Sequence, residues 1–173
     1  MNTLKTIVWL FPIIFMLHDF EEIILVEAWK KKYKKELQNT TMKKVPFSDF
    51  RSAASFSIGV VIEFLIFSAL PLFACLFNWY FLWFGLFFGF TFHLVIHCKM
   101  SLQFKHYVPG VATSIPFLPI CIYLLWISAK MISFTTVQLI LSCVTGTILM
   151  LLIVAFLHKY MDSFAGFIKK MEH

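Results

Sequence analysis

The sequence predicts an all-α, polytopic membrane bundle of five transmembrane helices, and three observations carry that prediction. The 173 residues are 60% apolar and 14% charged with a mean hydropathy of +0.83, against about 45–50% and ~25% in soluble domains. A soluble domain of this length leaves roughly a third of its surface in water, and there is too little polar material to cover it. The apolar residues also form unbroken runs of the length, about 20 residues, that crosses a ~30 Å hydrocarbon core. Finally, the basic residues concentrate between the runs. A soluble α/β enzyme, a secreted disulfide scaffold and a disordered regulator are excluded. So is a β-barrel, whose strands alternate apolar and polar residues.

The first run, 6–29, is like a signal peptide only as far as Leu17; no small-residue cleavage site follows, so an uncleaved span is expected. The connection 30–52 is strongly basic, with Lys30, Lys31, Lys32, Lys34, Lys35, Lys43, Lys44 and Arg51. The second span, 53–76, has Glu63 as its one ionisable group, and the third follows at 79–97. After a connection at 98–107, the fourth, 108–128, opens on Pro109-Gly110 and is interrupted by Pro116 and Pro119. The fifth is 134–157, where Ser142 and Gly146 have the small-xxx-small spacing of packed membrane helices. The tail, 158–173, places Met161, Phe164, Phe167, Ile168 and Met171 among polar residues at helical spacing, predicting a short amphipathic helix along the membrane surface. With no repeat or linker, 1–173 reads as a single membrane domain.

With the N-terminus outside, the cytosolic pieces 30–52, 98–107 and 158–173 hold 13 of the 15 Lys and Arg residues, so the positive-inside rule gives N-out and C-in. The net charge of +6 then reflects topology and attraction to anionic headgroups. The expected partner is the lipid bilayer of the cell membrane, not nucleic acid.

Charged groups at membrane depth are costly and mark sites. The first span carries His18-Asp19-Phe20-Glu21-Glu22 between apolar flanks. At about 100° per residue, Glu21 falls about 60° to one side of His18 and Glu22 about 40° to the other, with Asp19 about 100° away. One face thus presents an imidazole and two carboxylates, a set that binds a divalent cation or pairs a base with an acid. His93 and His97 stand four residues apart on the third span, a spacing that aims two imidazoles at one point. Measured from the cytosolic ends, Glu21 and Glu22 lie about 11–12 Å deep, Glu63 about 14–15 Å, His93 ~6 Å and Thr113 ~8 Å. These groups predict one polar cavity in the cytosolic half of the bilayer. The metal candidates are His18, Glu22, His97 and His93; the catalytic candidates are Glu21, Glu22, Glu63 and Thr113. Asp19, Pro109, Gly110 and Ser114 are supporting candidates that orient or shape the site. Cys75, Cys98, Cys121 and Cys143 lack CxxC spacing and read as packing residues.

His18-Asp19-Phe20-Glu21-Glu22 resembles the HxxEE signature of the HXXEE-domain family, small bacterial integral membrane proteins of uncharacterised function. The family's Asn-x-x-x-His is matched by His93-Leu94-Val95-Ile96-His97, with His93 in place of Asn, and its Pro-Gly-x-x-Thr/Ser by Pro109-Gly110-Val111-Ala112-Thr113. The resemblance supports the membrane fold and brings no reaction. Paired Glu on one helix with His on others is also similar to the CAAX-type intramembrane proteases, although Val26 stands where those carry Arg.

The residues predict a metal-dependent, zinc-like intramembrane hydrolase acting on a lipid or lipidated peptide. Two other classes fit the same residues: a metal-ion or proton carrier, and a non-enzymatic membrane assembly or immunity protein. A proton-sharing His–Glu cluster would use the same side chains without a metal.

Overall fold

The computed structural model describes residues 3–42, 45–48 and 50–171. Among them six helices follow one another: α1 (Thr3–Lys32), α2 (Lys34–Asn39), α3 (Ala53–Phe77), α4 (Tyr80–Phe104), α5 (Val111–Ile132) and α6 (Thr136–Met171). Four of these, α3, α4, α5 and the Thr136–Leu157 part of α6, are long and apolar enough to cross a membrane. α1 is long enough, but it carries Asp19, Glu21 and Glu22 at mid-length.

The helix ends follow local chemistry. Ser52 caps α3 through a capping box, its Oγ accepting from the Ser55 N–H while Ser55 Oγ accepts from the Ser52 N–H. Asn78, Lys105 and Ser133 end α3, α4 and α5 in the left-handed conformation, at φ of 59°, 60° and 58°. Pro12 sits inside α1 and leaves the Val8 carbonyl without its helical donor. The buried Trp83 indole N–H of α4 takes that place, at 3.2 Å from Val8 O. Fixing two helices through a proline-freed carbonyl is how such breaks are tolerated at membrane depth.

α4 lies centrally, packed on α5 and α6, while α1 packs on α3 and α5, and α3 on α6. The core is aromatic, with Phe11 and Phe15 of α1 at 4.9 and 4.8 Å from the Phe67 ring of α3. The α4–α6 seam uses the predicted small residues: Ser142 Oγ donates to Phe81 O at 2.7 Å, and Gly146 lies directly on Gly85. A Cβ on Gly146 would stand 1.9 Å from the Gly85 carbonyl carbon, so only glycine lets these backbones approach so closely.

Three boundaries differ from the sequence reading. The basic connection 30–52 is partly helical: α1 continues to Lys32, and α2 follows after Tyr33. α4 runs on to Phe104, so most of the connection 98–107 is its last turns. The tail is not a separate short helix, because α6 continues through it for 36 residues in all. No proline lies between Leu157 and Met171 to break it. The side chains of Phe167, Ile168 and Met171 lie outside the described residues, so the amphipathic pattern is carried here by Met161 and Phe164.

Candidate metal centre

Four side chains from α1 and α4 converge: one ligand atom each from His18, Glu22, His93 and His97, all within 4.8 Å of one another. The His97 Nε2 atom lies 2.8 Å from Glu22 Oε1 and 2.9 Å from His93 Nε2, and His18 Nε2 lies 3.6 Å from the same Glu22 oxygen. His18, Glu22 and His97 are buried, and His93 is half-buried. The i,i+4 spacing of His93 and His97 does aim both rings at one point.

The tautomers are set from behind. His97 Nδ1–H donates to the Pro109 carbonyl at 3.0 Å, which turns Nε2 toward the cluster as the atom that donates to Glu22 or ligates an ion. Thr113 donates its hydroxyl proton to Glu21 Oε2 at 2.6 Å, so its oxygen accepts from His18 Nδ1–H, 2.9 Å away. His18 therefore presents a bare Nε2. Backing a histidine's second nitrogen with a carbonyl or a carboxylate-linked group is how proteins orient metal ligands. His18 Nε2 has no hydrogen-bond partner among the described residues, and the Glu22 Oε1 it faces is shared with His97 Nε2. Buried polar atoms seldom stay unpaired, and these atoms face a common point with lone pairs turned inward. The donor set of three imidazoles and a carboxylate, with two of the imidazoles oriented for ligation, fits a zinc-class divalent ion.

Glu21 stands apart from this cluster. Its carboxylate accepts the Ala112 N–H at 3.1 Å and the Thr113 N–H at 2.7 Å, besides the hydroxyls of Thr113 and Tyr107. It is thus a cap, supplied from α1, for the N-terminus of α5, whose own cap residue Gly110 has no side chain to do it. Burial and the adjacent Glu21 carboxylate push the Tyr107 phenol up, so that it stays protonated and donates. Gly110 has a φ of 90°, and a Cβ there would meet His97 Nδ1 at 2.5 Å and Glu22 Oε1 at 2.7 Å. Glycine is required on both counts. Ser114 is also fixed by this turn, its buried hydroxyl donating to Gly110 O at 2.6 Å.

Helical-wheel geometry grouped Glu21 with His18 and Glu22. The 60° to 40° split about His18 instead sends Glu22 toward α4 and Glu21 toward α5. Asp19 turns toward α3, where it, Glu22 and Glu63 line a cavity of about 70 Å³ with His93. Glu63 Oε1 is buried and has no hydrogen-bond partner among the described residues. Tyr107 escaped the sequence reading. Its one signal was an aromatic hydroxyl two residues ahead of Pro109-Gly110, just before the apolar run 108–128.

Fold and site together define a membrane-type helical bundle in which a glycine turn holds a buried cluster of three histidines and one glutamate. The chain belongs to the HXXEE family: a family model described as a protein of unknown function with an HXXEE motif matches residues 9–124. The match covers the helices that bear the cluster and the Pro109-Gly110 turn. No curated protein and no solved structure matches the chain significantly.

Proposed function

We propose that the protein is a multi-pass enzyme of the cell membrane, a single domain of five spans with its N-terminus outside, that uses a divalent metal ion to hydrolyse a lipid or lipidated peptide. The observation that carries this is the convergence of four inward-facing ligand atoms within 4.8 Å. The fifth span is α1. Its exposed large residues Trp9, Ile13, Leu17, Phe20 and Ile24 form an apolar stripe at helical spacing, which is what a lipid-facing helix side presents. The distribution of Lys and Arg supports the orientation.

His18, Glu22, His93 and His97 would hold the ion. When bound, a zinc-class ion supplies Lewis acidity, polarising a carbonyl or phosphoryl oxygen and making water a nucleophile near neutral pH. Pro109 and the Thr113–Glu21 pair keep two of the imidazoles, those of His97 and His18, in the ligating tautomer. The carboxylate of Glu21 is taken up by its hydrogen bonds to α5 and Tyr107, so it is a positioning residue. Of the two further carboxyls in the adjoining cavity, Asp19 and Glu63, Glu63 has the unpartnered oxygen and is the one we assign to accept or return a proton.

The test is reconstitution in vesicles of native lipid extract, with and without chelator, followed by mass spectrometry of the lipids. Chelator-sensitive turnover that Glu63→Gln abolishes, with the fold intact, is the expected result. Metal-dependent ion flux without any lipid turnover would replace this reading with the carrier.

A further inference from the structure

Beside the cluster lies a second, larger cavity of about 220 Å³. Glu22, His93 and His97 contribute to its wall, and most of the rest is apolar, including Phe56, Ile96, Met150 and Val154. Thr147, one of its few other polar residues, has already given its hydroxyl proton to Cys143 O at 2.8 Å. Two wall residues, Phe92 of α4 and Leu151 of α6, are also about half exposed on the outside of the bundle, at 48% and 57%. The cavity therefore opens sideways, between helices, toward the hydrocarbon.

Its roof is the segment 45–48 with Phe50, which Lys30 holds down by donating to Phe47 O at 3.0 Å and Phe50 O at 3.2 Å. The same roof borders a second hollow of about 220 Å³, where Lys30, Lys34 and Gln38 meet apolar residues such as Leu37 and Val45. Across one short segment, the structure thus sets an apolar cavity that reaches the His–Glu cluster against a hollow edged by two lysines. An amphiphile with an anionic head matches the apolar cavity and the two lysines beyond its roof.

We infer that the apolar cavity takes one hydrocarbon chain of an anionic lipid that enters from the side, with its head beside Lys30 and Lys34. This rests on the metalloenzyme reading for its chemistry, but not for its binding. A volume of 220 Å³ is below the roughly 300–1,000 Å³ of whole-ligand pockets, which suits part of one chain and not an entire two-chain lipid.

The test uses phosphatidylglycerol bearing a diazirine on one acyl chain, diluted into phosphatidylcholine vesicles containing the full-length protein. Photolysis should label interior wall residues such as Met150 and Phe56, besides the lipid-facing residues any annular lipid reaches. Filling the cavity with Ile96→Phe and Val154→Phe should lower interior labelling about tenfold while labelling at the outward Leu65 and Ile120 is unchanged. Lys34→Glu, on the surface and harmless to the bundle, should lower interior labelling by the anionic probe and not by a phosphatidylcholine probe with the same chain. Interior labelling that is absent from wild type, or equal in wild type and the filled variant, overturns the chain site. Equal labelling by the two probes overturns the anionic head. Interior labelling in a protein that takes up no metal leaves the chain site standing and removes the metalloenzyme.

Discussion

At the residue scale, the family motifs become a set of physical jobs. In His18-Asp19-Phe20-Glu21-Glu22, His18 and Glu22 face the cluster, Glu21 caps α5, and Asp19 turns to α3. In Pro109-Gly110-Val111-Ala112-Thr113, the Pro109 carbonyl backs His97, Gly110 makes room for it, and Thr113 backs His18. Both of these imidazoles thus depend on the start of α5, His97 on the turn before it and His18 on its first helical turn. Thr113→Val keeps the shape and removes the hydroxyl, so His18 loses the acceptor that fixes its tautomer. Metal affinity should fall about 10–100-fold, the usual cost of losing a ligand's backing group. Thr113→Ser should restore it, as read by competition with a chromogenic chelator. Undiminished affinity in Thr113→Val would mean that the hydroxyl has no part in orienting His18.

At the element scale, the coupling of α1 to α5 runs through one carboxylate. Glu21→Gln retains the size but replaces a charged acceptor with a neutral one at a helix N-terminus, where charge is favoured. The expected loss is about 1.5–3 kcal/mol, as for hydrogen bonds to charged groups, seen as a lower melting temperature in detergent. Bound metal should persist in this variant, since Glu21 is not among the convergent ligands. Equal loss of metal in Glu21→Gln and Glu22→Gln would put Glu21 among the ligands after all.

The sequence was informative here in an uneven way. His18, His93, His97 and Glu22 were legible because intramembrane ionisable groups are few, and because i,i+4 spacing fixes which side chains share a face. The parting of Glu21 from Glu22 was not legible. An angle of roughly 100° between consecutive residues permits one shared face or two neighbouring ones, and only the position of α5 decides between them. The single long α6 was obscured for a related reason. A change from apolar to mixed composition at residue 158 marks a change of surroundings, and a helix can continue through it unbroken.

At the scale of the whole molecule, the proposed chemistry requires the cluster to sit inside a bilayer. Four helices are long and apolar enough to cross it, and α1 completes the bundle as the fifth span in our proposal. Reporter fusions test this: a periplasm-active reporter at the N-terminus and a cytosol-active one at the C-terminus should both be functional. Both ends reporting from the same side would mean an even number of crossings, leaving α1 on the membrane surface. The seam at Gly85 and Gly146 and the Trp83–Val8 tie hold α4 against α6 and α1. The helix carrying His93 and His97 is thereby a rigid support for two ligands, as well-defined sites require.

The central claim, that His18, Glu22, His93 and His97 hold a metal ion, is tested most directly by metal content. The protein would be purified in mild detergent, offered zinc, freed of excess, and assayed by mass spectrometry beside His97→Ala and Glu22→Gln. All three should give the same helical circular dichroism. The expected result is about one ion per chain in wild type, as in a mononuclear site, and little in either variant. A folded wild type that retains no metal, or variants that retain as much as wild type, would contradict it.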